Sequence, residues 1–227
     1  MDRVPRMRLR RKSELLKENL ISLAVKVKES FRSAITAIKS RDKELATSVI
    51  EGDKEIDRIE IEIEETCLEI LALHQPVALD LRLITGALQI INQLERIGDL
   101  AVNIAQAAAI LASESPLEIP GEYYFMAQRV ENMLEKAIKA FVNEDETLAA
   151  EVLADDDEVD MMKHKLHRNF EDRVNVELNR HHALTQLFLV SRHLERIADH
   201  STNIAEDVIY MITGEIVRHG HGHGASK

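Results

Sequence analysis

LERIGDLAVNIA, residues 94–105, returns one hundred residues later as LERIADHSTNIA, residues 194–205. Both copies lie in long proline-free stretches whose apolar residues step by three and four, the period of a helix. Each copy carries a glutamate, an aspartate four residues on and an asparagine four beyond that: Glu95, Asp99 and Asn103, then Glu195, Asp199 and Asn203. At about 100° per residue these lie along one side of a helix. Ile84, Leu88 and Val102 project within about 20° of Glu95, so the spacing predicts a carboxylate down the middle of an apolar stripe. Glu195 repeats the pattern with Leu184, Phe188 and Thr202. An acid held on that side of a helix, twice, needs a partner.

Working outward, the rest of the chain reads as two copies of a three-helix unit. From about Glu14 to Lys39, the residues Leu16, Leu20, Leu23, Val27, Phe31, Ala34 and Ile38 mark a first helix, with Ser13 as its candidate cap. Ser40-Arg41-Asp42 reads as a turn and cap. A second helix runs from about Lys43 to Leu73, passing Gly52-Asp53 where the glycine leaves room for a kink, and His74-Gln75-Pro76 ends it. The third, from about Ala78 to Ser113, holds the first motif. SESPLEIPG, residues 113–121, is the linker.

After the linker the pattern restarts. Val27 maps to Val130, Ala34 to Ala137, Asp42 to Asp145 and Val49 to Val152, a constant offset of 103. By the third helix the offset is 100, which places a turn about three residues shorter near Asn179 to His182. The expected fold is all-α, with two tandem, repeat-related three-helix bundles. The divisions are a basic leader at 1–13, a first unit at 14–113, a linker at 114–121, a second unit at 122–214 and a His/Gly-rich tail at 215–227.

Composition narrows the function classes. Hydrophobic content of 45% with 30% charge is that of a folded chain, and a formal net charge of −11 argues against a general nucleic-acid binder. Cys67 is the one cysteine, which excludes an internal disulfide and a cysteine zinc cluster, and it reads as a half-buried helix residue. No apolar run approaches the ~20 residues that cross a bilayer, and MDRVPRMRLRRK at the start lacks the apolar core of a secretory signal. A soluble, cytoplasmic protein is expected. The basic leader reads as a solvated, frayed segment, with an electrostatic contact at an anionic membrane as the sharper alternative. The tail RHGHGHGASK has incidental metal affinity and no preorganised site.

The second helix of each unit also holds two aspartates four apart, Asp53 with Asp57 and Asp156 with Asp160. On antiparallel helices, residues at equal height share a midpoint. Asp57 with Glu95, and Asp53 with Asp99, centre on Pro76. Asp160 with Glu195, and Asp156 with Asp199, centre between Glu177 and Leu178. Carboxylates gathered at one level repel unless protons or cations sit between them. Oxygen-only ligands suit a hard divalent or trivalent cation such as Mg²⁺, Mn²⁺, Ca²⁺ or iron, with Zn²⁺ as a further member. One metal site per unit is therefore expected: Asp53, Asp57, Glu95 and Asp99, then Asp156, Asp160, Glu195 and Asp199. Asn103 and Asn203 are candidate further ligands. Acids four apart on helices more commonly face solvent or pair with Arg and Lys, and it is the duplication at matched heights that favours the metal. Arg96 and Arg196 point about 100° away from the glutamates and read as poor partners. His164 and His167 read as surface residues, with nitrogen ligation as the sharper alternative.

GDKEID at 52–57, HQPVALDLRLI at 74–84, ERIGD at 95–99, DDEVD at 156–160 and ERIADHSTNIAE at 195–206 together resemble the PhoU family of accessory regulators of bacterial phosphate-specific transport. The resemblance covers nearly everything from residue 14 to 213. It implies a pair of three-helix bundles whose acidic motifs bind metal ions, singly or as clusters. It also implies a negative regulator of the phosphate-starvation response, connecting a phosphate-importing ABC transporter at the inner membrane with a sensor histidine kinase. A homodimer, with peripheral contact at that membrane, is expected.

Two other classes stand beside this reading. A carboxylate-bridged di-metal oxidase or metal store would use Glu-x-x-His pairs, and the sequence contains none. A purely structural protein would pair its acids with a partner's basic side chains. No nucleophile–base arrangement, phosphate-cradling glycine loop or nucleotide motif is visible, so no enzymatic activity is expected.

Overall fold

The computed structural model describes residues 3–215, with side-chain surroundings described from residue 11 onward. The His/Gly tail from residue 216 on lies outside the described residues, as do the side chains of Arg3, Arg6, Arg8 and Arg10 in the basic leader. Six long helices follow one another: α1 (Arg3–Ser40), α2 (Lys43–His74), α3 (Leu79–Ser113), α4 (Gly121–Asn143), α5 (Glu146–Val174) and α6 (His181–Thr213). A short 3-10 turn at Leu178–Arg180 precedes α6. The described residues contain no strand. Helices α1–α3 form one unit and α4–α6 the other, and each α1-to-α6 counterpart sits in the same place in its unit.

The units join through two pairs of helices. Helices α3 and α6 pack most extensively against each other, and α1 meets α4 beside them. Helix α3 therefore touches α1, α2 and α6, and it buries fifteen side chains or glycines between Ile84 and Leu111. Among the described residues, helix α2 packs mainly on α1 and α3, and α5 mainly on α4 and α6. These outer helices bury a single stripe each: Val49, Ile56, Ile63 and Ile70 on α2, and Val152, Val159 and Leu166 on α5, both seven apart. The remaining faces of α2 and α5 are free to carry charge, which is where the acidic residues lie. Ion pairs stitch α1 to α4 at Lys17–Glu144, Lys28–Glu135 and Arg32–Glu131.

The repeat extends to the turns. Asp42 Oδ1 accepts from the Leu45 amide at 2.9 Å, and Asp145 Oδ1 from the Leu148 amide at 3.0 Å, which caps α2 and α5 identically. The residues before these caps, Arg41 and Glu144, both adopt the left-handed conformation, with φ of 56° and 53°.

Five expectations change in detail. Helix α1 begins at Arg3, since Arg, Met, Leu and Lys are good helix formers and Pro5 falls in the first turn, where its missing amide is not needed. Ser13 is therefore buried inside α1 and caps nothing. Helix α2 passes through Gly52 without interruption. Cys67 is completely buried, and burial followed by Glu64 pushes its thiol up to about 12, so it is an inert core residue. The second hairpin is shortened in its helix, because α5 stops at Val174 and residues 175–180 make the connection. There Glu177 donates its amide to the Arg173 carbonyl at 2.8 Å, and Arg173 Nε pairs with Glu177 Oε1 at 2.6 Å, which closes the end without a proline.

Candidate functional site

The α2–α3 and α5–α6 hairpins place the predicted acids across from one another. The Pro76 midpoint falls in the first connection, residues 75–78, and the Glu177–Leu178 midpoint in the second, residues 175–180. In the first unit, Asp53 lies over Gly98: a Cβ added to that glycine would be 3.6 Å from Asp53 Oδ1. Burial, then Asp57 and Asp99, raise the Asp53 acid. Burial, then Asp99, raise the Glu95 acid against the pull of Arg96, with Glu60 and Asp57 adding to the rise. Acids from both helices therefore share one field.

Arg96 does reach this group. Its side chain folds back to place Nε 3.4 Å from Glu95 Oε2 and Nη1 3.8 Å from Asp99 Oδ2. The guanidinium is 61% exposed, so the pairing is weak and easily exchanged. Glu95 itself lies at the margin of the buried face and keeps contact with solvent. The periodicity placed it mid-stripe because α3 packs on three helices, and its true buried centre runs through Leu94, Ile97, Ala101 and Ala108.

A residue outside the expected set completes each cluster. Glu60 follows Asp57 by three positions on the same face of α2, and burial, then Glu64 and Asp57, raise its acid. The 103 offset maps Glu60 onto Lys163. Lys163 Nζ donates to Asp160 Oδ1 at 2.8 Å on its own helix and to Glu195 Oε1 at 2.9 Å across on α6. Burial works against its charge, but the hydrogen bonds to Asp160 and Glu195 outweigh it and hold the ammonium above its ordinary range. Comparing every aligned position of the repeat, and not the acids alone, would have exposed this exchange.

Asp199 sits at the other end of the second cluster. It still meets solvent, but burial of its carboxyl, then Glu195, Asp156 and Asp160, push the acid up to about 6 against the pull of Lys163. Among the described residues, neither histidine of α5 makes a hydrogen bond to these oxygens, although His167 lies within the field of Glu195. His164 is exposed, and the His167 ring packs on Phe188 with centroids 4.6 Å apart, so His167 is a packing residue and not a surface one. Asn203 points away to α3, where its Nδ2 donates to Gln93 Oε1 at 3.2 Å.

Among the described residues, no three acidic, histidine or cysteine side chains converge closely enough to hold a metal ion as they stand. The donor chemistry of the first cluster fits a hard cation nonetheless. Asp53, Asp57, Glu60, Glu95 and Asp99 offer only oxygen, and burial followed by neighbouring carboxylates raises the acids of Asp53, Glu60 and Glu95, an environment a cation would relieve. Where the first cluster has only the exposed Arg96 at its edge, the second contains the largely buried Lys163 ammonium.

The molecule is thus a tandem-repeat helical protein with an acidic cluster on the outer hairpin of each half. The PhoU domain matches it twice, at residues 20–108 and 125–208, and the chain belongs to the PhoU family. It is 41% identical to a phosphate-specific transport system accessory protein PhoU homolog of Aquifex aeolicus, over 95% of this chain and 97% of that one. It is 36% identical to PhoU homolog 1 of Thermotoga maritima, over 93% and 92%. The crystal structure of PhoU from Pseudomonas aeruginosa superposes with a TM-score of 0.88 at 32% identity, covering 91% of this chain and 99% of that one. Among the described residues, no helix is long and apolar enough to cross a membrane.

Proposed function

We propose that this protein is a negative regulator of phosphate uptake and of the phosphate-starvation response, acting as a metal-binding adaptor between a phosphate ABC transporter and a sensor histidine kinase. The observation that carries the transport part is the near-full-length likeness to proteins named as accessory to phosphate-specific transport. The metal part is supported by the first cluster, where five carboxylates of α2 and α3 lie close enough to raise one another's acids, with no lysine among them. A hard cation shared by Asp53, Asp57, Glu60, Glu95 and Asp99 would fasten α2 to the rest of its unit, and the charge on that outer face would change with loading. No catalytic step belongs to this role. A homodimer, working in the cytoplasm against the inner face of the membrane, completes the reading.

The test is genetic and biochemical together. Deleting the gene should raise phosphate uptake and a starvation-responsive reporter in phosphate-replete cells. The tagged protein should retain the transporter and the kinase from membranes in a phosphate-dependent way. Unchanged uptake and reporter activity in the deletion strain would overturn the regulatory role. Light scattering checks the dimer. The metal half is checked by comparing melting in Mn²⁺ and in chelator, since an ion bound only by the folded state raises Tm.

A further inference from the structure

We propose that the second unit supplies its own cation: the Lys163 ammonium occupies, between Asp160 and Glu195, the place a metal ion would take in the first unit, so the two acidic clusters of this chain differ in kind. That the first cluster takes a metal rests on the reading above, whereas the closure of the second by lysine stands on geometry alone.

The 103 offset superimposes Asp156, Asp160 and Lys163 on Asp53, Asp57 and Glu60, all on one face of their helices. Fully ionised, the first group with Glu95 and Asp99 carries −5, and the second with Glu195 and Asp199 carries −3. A single position accounts for the whole difference. Lys163 is also placed unlike an ordinary surface lysine. Its side chain is 16% exposed, and of its two hydrogen bonds one holds it to Asp160 on α5 while the other crosses to Glu195 on α6. The oxygens engaged, Asp160 Oδ1 and Glu195 Oε1, are the ones a metal would need at about 2.0–2.6 Å. An ion could enter only by displacing the ammonium, which would leave a largely buried charge without its partners. The same change of residue thus removes one oxygen ligand and installs a competitor for two others.

The lysine gives the second hairpin a metal-independent clasp. Loading or stripping metal then alters the α2–α3 hairpin while α5–α6 stays fixed, so the chain is asymmetric in its response despite its repeated fold.

Mn²⁺ binding to the full-length protein, followed by calorimetry and by electron paramagnetic resonance of the free ion, separates the two clusters. Asp53→Asn with Asp99→Asn should reduce wild-type binding to background, and Asp156→Asn with Asp199→Asn should leave it unchanged. Lys163→Glu, which installs the first unit's residue, should add Mn²⁺ binding that the Asp156→Asn, Asp199→Asn pair removes. Wild-type binding that falls with the second pair, or a folded Lys163→Glu protein that gains none, overturns the proposal. Melting in chelator tests the clasp without metal. Lys163→Gln should lower Tm, and adding Glu195→Gln should cost less than it does alone, because the pair acts as a unit. If wild type binds no Mn²⁺ at all, the metal reading of the first unit fails, and the melting result alone decides the lysine: a Tm unmoved by Lys163→Gln overturns it.

Discussion

His200 Nδ1 lies 2.7 Å from Gln93 Oε1, and Asn203 Nδ2 reaches the same oxygen, so one amide of α3 holds two side chains of α6 across the seam between the units. An amide oxygen only accepts, which places the neutral imidazole's proton on Nδ1. In the other half of the repeat, the 100 offset puts His193 where Gln93 stands and Leu100 where His200 stands. His193 Nδ1 is accordingly buried without a hydrogen-bond partner.

This seam should make the protein acid-sensitive. Burial, then Arg196 and Arg96, push the His200 imidazole down to about 4, against roughly 6.5 in an unfolded chain. Between those values the unfolded chain takes up a proton that the folded chain refuses, so stability falls as pH drops through 6.5 toward 4 and is unaffected above that window. Wild type should therefore lose more Tm between pH 7 and pH 4.5 than His200→Gln does. Parallel acid limbs for the two proteins would refute the assignment.

Asp199 has the opposite sign. Its acid is raised to about 6, so its ionisation opposes folding at neutral pH, and that cost disappears as pH falls through 6 to about 4. In chelator at pH 8, Asp199→Asn should raise Tm on the order of 2 °C. At pH 4 the variant and wild type should melt together. A variant that melts lower than wild type at pH 8 would mean that the Asp199 carboxylate is paired, not crowded.

Much of this arrangement was legible in the chain because two signals were independent of packing. Apolar period located the helices, and hairpin symmetry located the acids at matching heights around Pro76 and Glu177–Leu178. What escaped required knowledge of neighbours. Glu95 looked central on α3 because a helix packed on three others carries a wide apolar face, whose edge periodicity does not mark. Lys163 is hidden because the repeat is visible where it agrees, at the aspartates, while the informative position is one where it differs. The start of α1 is hidden because a run of positive charge reads as fraying, although arginine and lysine favour helices. The end of α5 is hidden because no proline or glycine marks it, and the Arg173–Glu177 pair seen there is four apart and reads equally well as part of a continuing helix.

Gly52 offers a simple stabilisation. It lies in the exposed interior of α2, and a Cβ there would meet nothing within 4 Å. Gly52→Ala removes backbone freedom from the unfolded chain and should add about 0.5–1 kcal/mol of stability. For a chain of this size that is a rise in Tm of about 1–4 °C, measurable by calorimetry. No gain would indicate that α2 already bends at this residue in solution.

Gly86 should behave in the opposite way, although it too is a glycine inside a helix. It is buried on α3 where Met211 of α6 crosses, and an added Cβ would run into the Met211 Cγ and Sδ atoms. Helix propensity alone favours alanine by about 0.8–1.0 kcal/mol. The steric cost has to exceed that gain, since Met211 is itself nearly buried and has little room to turn aside. Gly86→Ala should therefore destabilise the protein by about 1–2 kcal/mol, within the range for overpacking a filled core. Met211→Ala alone should cost about 2–3 kcal/mol through the cavity it leaves. The two changes together should cost less than the sum of each alone, because the new methyl group enters the space the methionine vacates. Urea unfolding of the four proteins closes this cycle. Strict additivity would show that α3 and α6 do not approach closely at this crossing, and with that the seam between the units would have to be redrawn.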